Sequence, residues 1–357
     1  MGVLFAALFL ILLSLTALLV VLSFQAGIYT VFFTHLSSVS FIHHAPHHYI
    51  TAATLGYPFL WFGPFPIVVP VQVTYGAAFL AVLVVYIAMF ILAVFQGRSF
   101  PSAVKSGLKK GIGEFLSNRL LLTLVSIGFL VFTSVVVDEV VSAFGPPIGS
   151  PFTSAVNPLY YFVELTLAPL REEFGFRVLL IGLAAVIVTL PRPGLSALTT
   201  LKSALRTLWR PSVAYEGIDN NTLILVVIWA AGAFSAGTFG ACHVACGGGG
   251  WDIGKLPEAT YGGVVLAYLY IRYGFHVAVL AHWGIDYLPS VFAFYGQGAF
   301  GIPWTSSPGY ILQQVVSADL FGIFGVACVI VVAYLGYTKR PGARLQVEQP
   351  PNSTGSS

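Results

Sequence analysis

The feature that most limits what this chain can fold into is a series of apolar runs, each about as long as a bilayer is thick. From Val3 to Phe24 no residue carries a charge, and a spanning helix needs about 20 predominantly apolar residues. Comparable runs predict helices over 3–24, 78–96, 120–143, 156–190, 222–245, 259–273, 275–290 and 317–337, eight in all. Residues are 57% hydrophobic and 8% charged, and the mean hydropathy of +0.88 excludes an ordinary soluble fold. The expectation is an all-α polytopic membrane helix bundle, about eight transmembrane helices around a polar intramembrane cavity.

Positive residues set the expected orientation. Arg98, Lys105, Lys109, Lys110 and Arg119 flank one loop, Arg192, Lys202, Arg206 and Arg210 another, and Lys339, Arg340 and Arg344 the tail. Residues 25–77, 144–155 and 291–316 contain no Lys or Arg. Eight crossings let these sets alternate, which puts both termini and the basic loops in the cytoplasm, with the cell membrane as the expected location. The first run is too long for a signal-peptide core and has no basic residues before it, so it reads as a retained helix. "MGVLFA" lacks the Ser or Thr of a myristoylation signal. The tail beyond residue 338 reads as disordered, and its Asn352-Ser353-Thr354 sequon falls on the side where glycosylation does not occur. The expected organisation is 1–155 as N-terminal membrane helices and loops, 156–290 as a catalytic membrane core, 291–338 as a C-terminal membrane helix and 339–357 as tail.

Against this background "LAPLREEFGFRVLL", Leu167 to Leu180, stands out, because Arg171, Glu172, Glu173 and Arg177 fall within seven residues. Each uncompensated charge near the middle of a spanning helix costs about 2.5–3.5 kcal/mol on insertion scales. Glu173 and Arg177 are four apart with the acid first, the favourable order for a pair on one face, and Glu172 points about 100° away. Pro169 predicts a kink or break nearby. In "FSAGTFGACHVAC" Phe239 and His243 share a face, and Gly232, Ala236 and Gly240 at four-residue spacing let another helix approach closely. "AVLAHWGIDYL" places His282 and Asp286 four apart. A structural charge network accounts for any one of these stretches; three helices each offering an acid or His on one face point to chemistry.

Together the three stretches resemble the CPBP (CAAX protease and bacteriocin-processing, Abi) family of intramembrane proteases, which includes the type II CAAX prenyl endopeptidases. That family carries EExxxR, FxxxH and HxxxN or HxxxD on successive membrane helices. This chain has Glu172-Glu173-Phe-Gly-Phe-Arg177, Phe239-Gly-Ala-Cys-His243 and His282-Trp-Gly-Ile-Asp286 in that order. The run "YGGVVLAYLYIRYGFHVAVLAHWGIDYL" is also similar to the family's third block, and the resemblance covers roughly 160–290. It implies a peptidase in which Glu172 is the general base, His243 helps hold and activate water, and His282 with Asp286 stabilises the oxyanion. Glu173, Arg177 and Phe239 support the site, and no metal or other cofactor is used. The implied partners are the lipid bilayer and a membrane-attached, for example prenylated, peptide or protein, and not nucleic acid. Asp286 stands where the prenyl endopeptidases have Asn: it serves either as a protonated donor or by orienting His282. A zinc enzyme with Glu172, His243 and His282 as ligands and a transporter or scaffold relaying protons through the same residues are the competing readings.

The remaining signals carry less. "HHAPHH", His43 to His48, is a metal-binding loop or an interfacial loop without metal, and no acid lies near it. Cys242 and Cys246 read as small buried cysteines in a membrane helix rather than as soft-metal ligands beside His243, and no disulfide scaffold is indicated. "GGWDIGKL" fails as a phosphate loop because Leu256 replaces the Ser or Thr; the Gly247–Gly250 run before it reads as a helix end. Ser102 and Lys105 have dyad spacing inside a cationic loop, Glu164 adds an acid eight residues before Glu172, and Asp138 and Glu139 fall near a helix end.

Overall fold

A computed structural model describes residues 3–34, 59–68, 73–145, 147–149, 158–189, 197–216, 222–246, 251–302 and 321–338. The chain is a helical bundle: α1 Val3–Phe33, α2 Tyr75–Phe95, α3 Phe100–Lys110, α4 Arg119–Phe144, α5 Pro158–Glu172, a π-helical segment Glu173–Gly182, α6 Leu183–Thr189, α7 Ala197–Trp209, α8 Thr222–Ala245, α9 Lys255–Tyr273, α10 Phe275–Phe300 and α11 Phe321–Thr338. The His43–His48 loop, the Gly247–Gly250 run and the tail lie outside the described residues.

Within the described residues every expected apolar run is helical. α1 passes the expected end at 24 to reach Phe33, and within that extension Gly27 lets Tyr287 lie directly against the helix, where a Cβ would overlap its hydroxyl. α10 likewise runs through Pro289, past the expected core boundary at 290, to Phe300. The expected eight crossings divide in two. Among the described residues α1, α2, α4, α8 and α10 are long and apolar enough to span a membrane. The motif charges interrupt the α5–α6 run, Lys255, Glu258 and Arg272 polarise α9, and α11 contributes only the shorter apolar stretch Gly322–Tyr337.

Three elements were not expected. α3 and α7 are short helices carrying the basic residues Lys105, Lys109 and Lys110, and Lys202 and Arg206, while Leu198, Leu201 and Leu205 of α7 are exposed. Their sequences interleave apolar and basic residues at helical spacing, the pattern of helices lying on a membrane surface. The third is a hairpin, β1 Phe59–Phe62 and β2 Phe65–Val68, paired antiparallel with Phe62 opposite Phe65 and Trp61 opposite Pro66. It departs from a purely helical bundle and packs on the motif helix: Gly63 N–H donates to Gly175 O at 3.4 Å, and Gly175 has no Cβ because the Trp61 carbonyl occupies that space. β1 thus has its outer edge against a helix, and Pro66 removes a donor from β2, which limits the open-edge cost of a strand in an apolar setting.

α10 lies at the centre, buried on nearly all sides from Phe275 to Leu288. A single residue separates it from α9: Gly274 has φ +106°, accessible to glycine without strain. α8 and α9 pack through the small-residue stripe. Gly232 faces Ile271 and Ala267, Gly263 meets the backbone of Ala236, and a Cβ on Gly240 would overlap Thr260. Asn118 joins the ends of α2 and α4, capping Leu120 N–H at 3.1 Å and donating to Val94 O and Arg98 O at 2.9 Å each. One apolar core runs from α1 to α11, so the N- and C-terminal helices share it with the motif-bearing ones.

Candidate active site

The motif straddles the change from α5 to the π-helical segment, with Glu172 the last α-helical residue and Glu173 the first of the wider turns. Pro169 sits inside α5 without ending it. A π-helical stretch loosens the regular ladder, and such stretches cluster at functional sites. Ser235 of α8 serves that ladder: its hydroxyl donates to Phe176 O at 2.7 Å and accepts from Arg177 Nη1 at 3.0 Å.

Glu173 and Arg177 are fully buried and pair at 3.2 Å between Oε2 and Nε, as their spacing implies. The other oxygen of Glu173 has a partner the spacing does not reveal, His282 Nδ1 of α10 at 3.0 Å. A carboxylate accepts, so Nδ1 carries the hydrogen and the imidazole orientation is set from behind. His282 Nε2 then faces Glu172 Oε2 at 3.7 Å and Asp286 Oδ2 at 3.5 Å, both longer than a direct hydrogen bond. The two adjacent acids therefore do not diverge as an ideal α-helix suggests; they take the two nitrogens of one ring. Their exposure separates them, since the Glu172 side chain is 20% exposed and that of Glu173 0%. Asp286 shares the open side at 23%.

His243 comes from the last turns of α8. Its Nδ1 lies 2.9 Å from Phe239 O, which engages one nitrogen with the helix and leaves Nε2 as the other functional atom. Among the described residues no hydrogen bond or ion pair joins His243 to Glu172 or His282; Phe239 stands between them. The Phe239 ring lies 4.6 Å from the His243 ring and 5.7 Å from the His282 ring, both edge-on, and the Arg177 guanidinium carbon is 4.7 Å above it. Phe176 meets Phe239 at 5.3 Å and Trp61 of the hairpin at 6.4 Å, so the hairpin closes this cluster from outside.

Three neighbours went unread in the sequence. Ser235 lies four residues before Phe239 and eight before His243, on the same helical stripe, and that spacing was the available signal. Arg171 pairs with Glu164, seven residues earlier, at 2.6 Å, which accounts for one charge of the run. Cys242 and Cys246, read as separate small cysteines, are joined as a disulfide on either side of His243. Among the described residues no three His, Cys, Asp or Glu side chains gather as metal ligands. Ser102 and Lys105 lie in α3, and among the described residues no hydrogen bond or ion pair links them to this cluster.

Residues 154–288 match the family described as Type II CAAX prenyl endopeptidase Rce1-like. This segment belongs to the CAAX protease family. The match begins just before α5 and ends two residues beyond Asp286, so it contains every residue of the cluster except the hairpin. The family match over this segment and the long apolar helices support a membrane protein with a protease-type core. Neither a curated protein nor a solved structure matches the chain.

Proposed function

We propose that the protein is an intramembrane endopeptidase that hydrolyses a peptide bond near the C-terminus of a prenylated or otherwise membrane-attached polypeptide. The observation that carries this reading is the division of labour between adjacent acids. Glu173 is locked between Arg177 and His282 Nδ1, whereas Glu172 is partly open and its only ion-pair neighbour among the described residues is His282 Nε2. A general base must be reachable and must not be neutralised by a permanent cation.

In this reading Glu172 takes a proton from water as the water oxygen attacks the scissile carbonyl, and His243 Nε2 accepts a hydrogen bond that holds that water. His282, as an imidazolium that carries a hydrogen on Nε2 as well as on Nδ1, and Asp286, as the protonated acid, donate to the developing oxyanion. The tetrahedral intermediate collapses with cleavage of the C–N bond, and the proton held by Glu172 passes to the leaving amine. The 3.5 Å approach of Asp286 to Nε2, with Glu173 already on Nδ1, favours the neutral-donor role over that of orienting His282. The chain crosses the cell membrane eight times with both termini cytoplasmic, the arrangement that puts the basic loops on one side.

The test is cleavage of prenylated peptides by reconstituted protein, parent against Glu172→Gln. The variant folds normally and loses about 10²–10⁴ in rate, the range for a general base; retained activity rejects the assignment. The zinc reading, with Glu172, His243 and His282 as ligands, is separated by exhaustive chelation, which leaves cleavage intact if Glu172 activates the water directly.

A further inference from the structure

A second group of charged side chains lies away from the cluster, where α2 ends, α4 begins and α9 ends. A cavity of about 660 Å³ is lined there by Gln96, Arg119, Arg206, Trp209, Arg210 and Tyr273 among others, with three arginines and no acidic residue in its wall. Arg210 is held by Glu216 at 3.0 Å. Arg119 and Arg206 form no ion pair among the described residues; the Arg119 guanidinium carbon lies 4.9 Å over the Tyr273 ring. Tyr273 also belongs to the wall of a second cavity, of about 510 Å³, between α4, α9 and α11. That one is lined mainly by Leu122, Val125, Phe129, Val265, Leu269 and Val332. One tyrosine thus separates a cationic space from an aliphatic one.

The surroundings fix where this pair of cavities sits. Arg98, Lys105, Lys109 and Lys110 belong to the same end of the bundle, in and beside α3. α7, which supplies Arg206 and Trp209, exposes Leu198, Leu201 and Leu205, the apolar face of a helix lying at a membrane surface. A cationic space at that level beside an aliphatic one within the bundle matches an amphiphile with an anionic head and a hydrocarbon chain. Guanidinium groups suit phosphate oxygens, which they bind in a forked geometry, and basic pockets between membrane helices hold anionic headgroups.

We propose that Arg119, Arg206 and Arg210 bind the phosphate of an anionic phospholipid, with one acyl chain in the aliphatic cavity beyond Tyr273. The site is distinct from the Glu172 cluster and does not depend on the peptidase reading. Occupied, it fastens α7 to the ends of α2, α4 and α9.

The experiment measures binding of dioleoyl phosphatidylglycerol to the full chain in detergent micelles. Dioleoyl phosphatidylcholine, a short-chain phosphatidylglycerol and inorganic phosphate are measured beside it. The parent prefers the long-chain anionic lipid over the choline lipid by about tenfold or more, from three arginines worth about fivefold each before competition from micelle and salt. Arg206→Gln, a change at an exposed position, lowers that preference about fivefold, and Arg119→Gln with Arg206→Gln abolishes it. Lys202→Gln, the same charge change on the same helix but outside the cavity wall, leaves the preference intact. An equal loss in Lys202→Gln, or a preference that survives the double change, overturns the site. Binding of inorganic phosphate or the short-chain lipid as tight as that of the long-chain lipid overturns the lipid assignment and makes this an anion site.

Discussion

His282 and Trp283 are neighbours on α10 and both are buried, yet the two faces they head are built on different physics. Trp283 and Tyr287 stack at 4.8 Å, and Phe24, Phe90 and Tyr86 close around Trp283 at 5.1, 5.5 and 5.7 Å. Tyr287 finishes that face by donating to Ser23 O at 3.0 Å. This side is held by dispersion spread over many rings, so no single contact is decisive. The His282 face rests on a few ionisable groups, Glu173, Arg177, Glu172 and Asp286, each of which matters to the next. The difference teaches how one helix serves both ends: the aromatic face holds α10 in place, and the polar face can then keep groups at distances useful for chemistry.

The sharpest way to break this contrast is Arg177→Ala. It leaves the Glu173 carboxylate buried without its cation and costs about 3–5 kcal/mol, seen as lost folded yield and a lower melting temperature in detergent. Unchanged stability would mean that Glu173 is compensated from elsewhere. Trp283→Ala, on the aromatic face, costs about 3 kcal/mol, since surrounding rings refill only part of the space. Its signature is lowered stability with the ratio of cleavage rates at low and high pH unchanged; a shifted pH profile would show that the two faces are coupled.

The smallest expected effect is the most informative about mechanism. Asp286→Asn changes stability by under about 1 kcal/mol, as expected away from fully buried pairs. It keeps or raises activity and extends it to higher pH, because the amide cannot ionise and repel an oxyanion. A pH–rate profile of both forms on one peptide checks this. A large loss of rate at every pH, with folding intact, would return Asp286 to orienting His282 and leave the imidazole alone on the oxyanion.

Much of the local arrangement was legible beforehand. Glu173 with Arg177 and Phe239 with His243 are contacts between residues four apart, which a helix brings together whatever else the chain does. The stripe Gly232, Ala236 and Gly240 announced a close helix approach, and α9 fills it. The π-helical turns after Glu172 had no such signature, because their support comes from Ser235, 59 residues away along the chain from the carbonyl it serves. The hairpin was equally hidden: "FLWFGPFPIV" is apolar throughout, so no alternation marked its two strands, and its position is set by the bare backbone at Gly175.

The sequence alone determined the class of structure and the order of the three motifs, since apolar length, charge placement and four-residue spacing are local properties that bilayer and helix geometry translate directly. Which acid is open and which is locked was decided only by tertiary structure. Glu172 and Glu173 are chemically identical neighbours, and they differ because α10 brings His282, 109 residues beyond Glu173, against both. Glu173 is closed off on that side by Arg177, while Glu172 keeps a fifth of its side chain exposed. A contact of that span depends on how whole helices pack, and no spacing within one helix encodes it.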